Sequence, residues 1–448
     1  MYLEIKMKKI TILLVVFIFL LAACAPQPVA PAAEEPAAEE PAAEEPAAEE
    51  PAAEEPAAEE PVTIEFWHSL SGDFGAVLEQ LIVDYNESQD KVVVNAVYQG
   101  NYQDTQKALL AALAADDAPD AAQLEASFGA TLAAKGVLKP VADFTGDPDI
   151  GLTDEEFDAI YPGFKDATSI DGTMYTMPFN TSMPVLYYNA DMLTANELAP
   201  PETWEDFKAA CNEVTNEDKF GFAINAGNVW VFEAMVWQNE GQLFSEDNTQ
   251  SLINEPAAVE ALQFWVDMVE SGCAKALAWE EGRTEFFNGN VAFLEDSSGS
   301  LGGILNNIDF ELGVTHIPWG KQKVATIGGA TLGMFADSDE QAQAASWDFI
   351  KFLTSPSSIS QLSADTGYLP ATSLALDMDP LMSLLEEDAM RASILELLPY
   401  ATPRPMVEGY PEIQGAIRKA IEEATLQQKT AQEALDVVAE EANRILNE

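Results

Sequence analysis

Three short polar stretches carry the side chains with which this chain could do chemistry. The first is Pro178-Phe179-Asn180-Thr181-Ser182-Met183-Pro184, one amide and two hydroxyls held between prolines. The second is Asp296-Ser297-Ser298-Gly299-Ser300, where hydroxyls and backbone N–H groups lead into an expected helix over 301–306. Such a helix start can hold an anion or the hydroxyls of a sugar, and it can equally be a plain cap. The third is His68-Ser69 together with Tyr102, each just after a run of strand character. Groups of this kind suit hydrogen bonds to polyol hydroxyls or phosphate oxygens.

Bond-breaking chemistry finds less support. Only His68 and His316 are present, which excludes a His-rich metal centre and leaves a Ser-His-Asp arrangement dependent on those two. Neither a GxxxxGK[ST] loop nor a GxSxG elbow occurs. Paired carboxylates for glycoside cleavage exist in abundance, but no spacing singles out a pair. Residues 147–156 superficially match a calcium loop, yet Leu152 stands where glycine is required. A binder without metal or cofactor is therefore the expectation. An extracellular glycoside hydrolase is the rival from another class, and a stalked adhesin the third.

The elements that must position these stretches alternate between β and α. Residues 62–67 read as a strand, followed by a helix with Phe74, Val77, Leu78, Leu81, Ile82 and Tyr85 on one face and Ser71 or Asp73 as its cap. A second strand over 91–97, a helix over 103–115, a strand over 121–124 and a helix over 128–135 continue the pattern. Strands separated by helices imply a parallel sheet, with ligands gathering at the loops beyond the strand C-ends. His68, Ser69 and Tyr102 fall at such ends.

The prolines at 178 and 184 hold the chain extended across 174–188. That suits a crossing between two lobes with Asn180, Thr181 and Ser182 facing a cleft. An edge strand with a polar kink is the alternative. Residues 325–331, with Gly328-Gly329, read as a second crossing, and 366–369 as a third. Helices are expected over 204–211 with Thr203 as cap, and over 230–239, 256–271, 341–353, 413–424 and 431–446. Strands are expected over 220–224 and 291–294.

Ahead of all this lie an address and a spacer. Lys6, Lys8 and Lys9 precede an apolar run over 10–23 that is too short to span a bilayer. Met7-Lys8-Lys9 is by itself a normal basic beginning. The run closes on Leu21-Ala22-Ala23-Cys24, which resembles the lipobox of bacterial lipoproteins; an ordinary signal-peptide site is the alternative. PAAEE then repeats six times from Pro31 to Glu60, where recurrent proline blocks a continuous helix and twelve glutamates repel one another. A solvated tether is expected, holding a globular part away from a membrane.

Outside the leader and the repeats, 63 acidic residues stand against 18 basic ones. A charge near −45 disfavours nucleic acid and anionic membrane surfaces as partners. Cys211 and Cys273 remain beyond Cys24; a disulfide is allowed outside the cytoplasm, but two cysteines define no framework.

With these segments in place, residues 62–448 resemble the extracellular solute-binding proteins of bacterial ABC importers, of the carbohydrate type. Within that family they look most like the members that bind glycerol 3-phosphate. Matching pieces include Phe66-Trp67-His68-Ser69, Gly100-Asn101-Tyr102, Pro178-Phe179-Asn180 with Ser182, Pro184-Val185-Leu186-Tyr187-Tyr188-Asn189 and Phe287-Asn288-Gly289. Ser297-Ser298-Gly299-Ser300-Leu301, Ile327-Gly328-Gly329-Ala330 and Thr366-Gly367-Tyr368-Leu369-Pro370 match as well.

The resemblance implies an α/β, two-lobe periplasmic-binding-protein-like fold of type II, with hinge strands and the ligand cleft between lobes. It divides the chain into a lipoprotein signal peptide at 1–24, a disordered tether at 25–61, lobe 1 over 62–181 and 331–364, and lobe 2 over 182–330 and 365–448. It makes Tyr102, Ser182, Ser298, Ser300, Gly329 and Tyr368 cleft residues. Three departures follow. The family's glutamate falls on Ala126, with Glu125 beside it; its stacking tryptophan falls near Ala226, with Trp230 four residues on. Its phosphate-binding arginine falls on Met406, two residues from Arg404.

The implied role is a monomeric, extracytoplasmic binder, lipid-anchored through Cys24 to the cell membrane at its outer face or in the periplasm, that hands a small molecule to ABC permease subunits. If Arg404 reaches the cleft, the ligand is glycerol 3-phosphate or a glycerophosphodiester. If not, a neutral sugar stacked on Trp230 or Trp67 is the better fit.

Overall fold

The computed structural model describes residues 60–447, so the leader, Cys24 and nearly all of the PAAEE repeats lie outside the described residues. The described chain opens with β1 (Val62–His68), α1 (Gly72–Ser88), β2 (Val92–Tyr98), α2 (Tyr102–Ala114), β3 (Ala121–Glu125), α3 (Ala126–Ala134) and β4 (Leu138–Lys139). On α1, Leu78, Leu81, Ile82 and Tyr85 are buried at the expected three- and four-residue spacing. Ser71 occupies its N-cap position but makes no side-chain cap bond, a correction to the sequence reading. Helix α3 starts two residues earlier than expected because the Glu125 carboxylate accepts from the Ser127 and Phe128 N–H groups.

β5 (Met177–Ser182) and β6 (Pro184–Asn189) follow, separated by Met183 alone. Next come α4 (Trp204–Val214), β7 (Phe220–Asn225), α5 (Val229–Gln238), α6 (Pro256–Glu270), β8 (Ala274–Leu277), α7 (Trp279–Phe287), β9 (Val291–Ser297) and β10 (Leu312–His316). Thr203 and Asp206 close a capping box at the start of α4. The chain ends with β11 (Ala325–Thr326), β12 (Gly328–Phe335), α8 (Glu340–Leu353), β13 (Ala401–Thr402), α9 (Tyr410–Thr425) and α10 (Ala431–Ile445).

Two sheets organise two α/β lobes. The first has the order β2-β1-β3-β12-β4, with β5 also paired to β12; the second is β8-β7-β9-β6-β10. Only part of each is parallel, which corrects the expectation of a parallel sheet. β1 is parallel to β2 and β3, whereas β12 runs antiparallel to β3, β4 and β5. The antiparallel strands are the ones that enter from the other lobe rather than over a local crossover helix.

The crossings sit side by side. Met183 links β5 in the first sheet to β6 in the second, and Ile327 links β11 to β12. Thr181 pairs with Gly329 across β5 and β12; on its other side its carbonyl accepts from the Leu369 N–H at 2.8 Å and its hydroxyl donates to the Leu369 carbonyl at 2.7 Å. Gly329 has φ +89°, and a Cβ there would stand 1.9 Å from the Asn180 carbonyl oxygen. No other residue fits this approach of two backbones.

Phe179, Met183 and Val185 carry one hydrophobic core through the first crossing. A second core fills lobe 2, where the Phe207 ring meets Phe222 at 4.9 Å and Phe293 at 5.2 Å. Cys211 and Cys273 form a disulfide inside it, with Cα atoms 5.5 Å apart.

Candidate functional site

Tyr102, Glu125, Trp230 and Arg404, together with Trp279 and Arg418, border a cleft of about 580 Å³. Tyr102 opens α2, whose N-cap Asn101 accepts from the Gln103 and Asp104 N–H groups. The Tyr102 hydroxyl accepts from Asn180 Nδ2 at 3.0 Å, and Asn180 Oδ1 accepts from Gln123 Nε2 at 2.8 Å. Gln123 Oε1 in turn accepts from the Ser69 N–H at 2.8 Å. A buried relay thus runs from the end of β1, through β3 and β5, to the cleft wall. Burial pushes the Tyr102 and Tyr368 phenols above their ordinary range, so both stay neutral donors at working pH.

Tyr368 is not among the residues bordering this cleft, but it lies beside Tyr102 and Asn180 by close approach to glycine. A Cβ on Gly299 would come within 2.8 Å of its ring, and the ring packs at 5.2 Å on Phe74. Trp230 lies against Gly328 in the same manner, since a Cβ there would come within 2.3 Å of the indole. The paired glycines of the second crossing therefore serve two neighbours, Trp230 at Gly328 and the Asn180 backbone at Gly329.

Several expected ligand groups are spent inside the protein. Asn180, Thr181 and Ser182 are buried, not turned to an open cleft. Ser298 accepts from the Met183 N–H through Oγ at 3.3 Å and donates its own N–H to the Met183 carbonyl at 2.9 Å. Ser300 donates to Asp296 Oδ1 at 3.1 Å, and Asp296 also accepts from Arg283 Nη1 at 2.9 Å. Ser297 Oγ accepts from the Gly299 N–H, and the following helix, Leu301–Leu305, has only five residues. Ser297 thus caps the single turn over Ser298–Ser300, the helix after it has no side-chain cap, and Asp296 also accepts from the Ser297 N–H at 2.7 Å.

His68 and Ser69 are likewise not among the residues bordering the cleft. His68 is buried, stacked 6.1 Å from Phe66 and tilted against Tyr98 at 5.8 Å, and burial lowers its pKa. The Ser69 hydroxyl pairs with Thr105 Oγ1 at 2.8 Å. Both stand at the strand end that the sequence indicates, but they brace it.

Arg404 reaches the cleft wall, and its charge is already engaged. Nε and Nη2 donate to the two oxygens of Glu233 at 2.7 Å each, and Nη1 donates to Glu125 Oε1 at 3.2 Å. Glu233 is fully buried and also accepts from the Tyr410 hydroxyl. Burial alone would weaken the guanidinium's hold on its proton, but Glu233 and Glu125 more than reverse this and raise its pKa. The sequence reading missed Glu233, the single acid within the apolar helix α5. It also missed Arg418, exposed on α9 one turn from Gln414, which makes no ion pair among the described residues. The i, i+4 spacing of Gln414 and Arg418, off the buried face of α9, was the available signal.

Two α/β lobes joined by adjacent crossings, with a polar and aromatic cleft, define a two-lobe solute-binding architecture. Residues 80–387 match the bacterial extracellular solute-binding protein family, and the chain belongs to it. Among curated relatives, the sn-glycerol-3-phosphate-binding periplasmic protein UgpB of Pectobacterium atrosepticum is 29% identical over 407 residues, covering 86% of this chain and 91% of the relative. That of Escherichia coli K12 is 28% identical over 405 residues, covering 86% and 92%. Among solved structures, UgpB from Mycobacterium tuberculosis in complex with glycerophosphocholine has a TM-score of 0.79 at 23% identity, covering 86% of this chain and 98% of that one. The cyclic alpha-maltosyl-1,6-maltose binding protein from Arthrobacter globiformis has a TM-score of 0.74 at 24% identity, covering 86% and 99%. At these identities the structural likenesses establish the fold.

Proposed function

We propose that this protein is the solute-binding component of an ABC importer and captures a phosphate ester of glycerol outside the cell for delivery to a membrane permease. The observation that carries the ligand class is Arg418, a guanidinium without an ion-pair partner among the described residues, bordering the same cleft as Tyr102 and Arg404. The relatives named for glycerol 3-phosphate span nearly the whole folded chain, which supports the same reading. Ser182, Ser298 and Ser300 then act as scaffold for the hinge and turn, and Tyr102, Tyr368 and Trp230 bracket the glycerol moiety. Lipid attachment at Cys24 and a monomeric state complete the proposal.

Calorimetry with glycerol 3-phosphate, glycerophosphocholine and an oligosaccharide panel tests it, comparing wild type with Arg418→Ala. A hydrogen bond to a charged group contributes roughly 1.5–3 kcal/mol, so loss of Arg418 is expected to weaken phosphate-ester binding about tenfold or more. Arg404→Ala is the poorer probe, because it leaves Glu233 buried without its partner at a cost of about 3–5 kcal/mol. A neutral oligosaccharide is the second reading, favoured by the engagement of Arg404 with two carboxylates and by the cleft rings of Trp230 and Trp279. Binding of an oligosaccharide alone, unaffected by Arg418→Ala, would replace the ligand.

A further inference from the structure

Glu125 does two things at once. Its Oε2 accepts from the Ser127 and Phe128 N–H groups at the start of α3, in lobe 1. Its Oε1 accepts from Nη1 of Arg404, whose Nε and Nη2 are held by Glu233 on α5 in lobe 2. The contact therefore bridges the lobes directly over the cleft. It is sheltered as well, with side-chain exposures of 12% for Arg404 and 23% for Glu125. Among the described residues the other interlobe ion pair, Lys135 with Glu408 at 3.6 Å, has exposures of 55% and 73%. Exposed pairs of that sort contribute little, whereas the sheltered one is weakly screened.

Glu233 occupies two of the five guanidinium donors, and Glu125 lies on the edge that remains. An incoming phosphate oxygen would need that same edge. Two carboxylates against one guanidinium also leave this wall net negative, which opposes an anion.

We propose that Glu125 is a specificity-setting counter-ion: seated on Arg404, it fastens the empty lobes together and competes with a ligand phosphate for the guanidinium. Ligand capture then exchanges one anion for another on Arg404, so affinity for phosphate esters is set by how firmly Glu125 holds. The competition half of this inference rests on the phosphate-ester reading above; the fastening half does not.

Glu125→Gln removes the charge and keeps an amide oxygen to cap α3. Glu125→Asp keeps both charge and cap but withdraws from Arg404. Ligand-free small-angle scattering is expected to show a larger radius of gyration for both variants than for wild type, and an unchanged one for Lys135→Ala. Calorimetry with glycerol 3-phosphate is expected to show at least tenfold tighter binding for Glu125→Gln and a smaller gain for Glu125→Asp. Circular dichroism confirms that the variants are folded. Unchanged radii together with unchanged phosphate-ester affinity would overturn the inference and leave the proposed function standing. Expanded variants that, like wild type, bind no phosphate ester would support the fastening role and remove the proposed ligand instead.

Discussion

At the scale of single residues, burial decides which acids carry charge. Glu233, at zero exposure, accepts from Arg404 with both oxygens and from the Tyr410 hydroxyl. Glu295, on β9, has no such partner: Oε2 makes no hydrogen bond, and burial pushes its carboxyl from the ordinary 4.5 up to about 8. Its protonated form is therefore favoured in the folded state. The stability this confers is complete below about pH 4.5 and is lost as pH rises through about 8. Its contribution has a slope of up to about 1.4 kcal/mol per pH unit. Denaturant unfolding from pH 5 to 8 is expected to be flatter for Glu295→Gln than for wild type. Identical slopes would mean that Glu295 does not titrate in this window.

Among the elements, helices and strands of lobe 2 are tied by the Cys211–Cys273 bridge, which joins α4 to the segment before β8. It closes a loop with a sequence separation of 62 residues. Restricting the unfolded chain over such a loop contributes roughly 2–4 kcal/mol. The double variant Cys211→Ala/Cys273→Ala is expected to lose about that much in urea unfolding, with ligand affinity retained because neither cysteine borders the cleft. A loss below about 0.5 kcal/mol would show that the lobe-2 core already holds these elements in the unfolded ensemble's stead. The crossings obey a different rule. Their strands are short, but Thr181 is hydrogen-bonded to neighbours on both sides.

For the whole molecule, charge and attachment matter most. A folded part near −45 repels anions at long range, but salt screens that field within about 8 Å, so under the proposed function a local cation such as Arg418 would select the ligand. The twelve glutamates of the repeats carry charge of the same sign, and lipid attachment at Cys24 is part of the proposed function. Intact-mass measurement of the mature protein is expected to show an N-terminal lipidated cysteine, and Cys24→Ala is expected to abolish detergent partitioning. A lipid-free wild type would reduce the leader to an ordinary secretion signal.

What the residues determine by themselves is local. Prolines at 178 and 184 force extension, so the crossing is legible; three- and four-residue apolar spacing marks α1, α9 and α10. The strand over Leu312–His316 and helix α7 carry weaker local patterns, and tertiary packing defines them. Partnership was not legible at all. Arg404 meets Glu233 across 171 residues and Glu125 across 279, and Ser298 meets Met183 across 115. Whether a hydroxyl or guanidinium faces a ligand or another side chain depends on which distant segments the fold brings beside it. Residue type limits what a group can bond, and only the tertiary structure decides what it does bond.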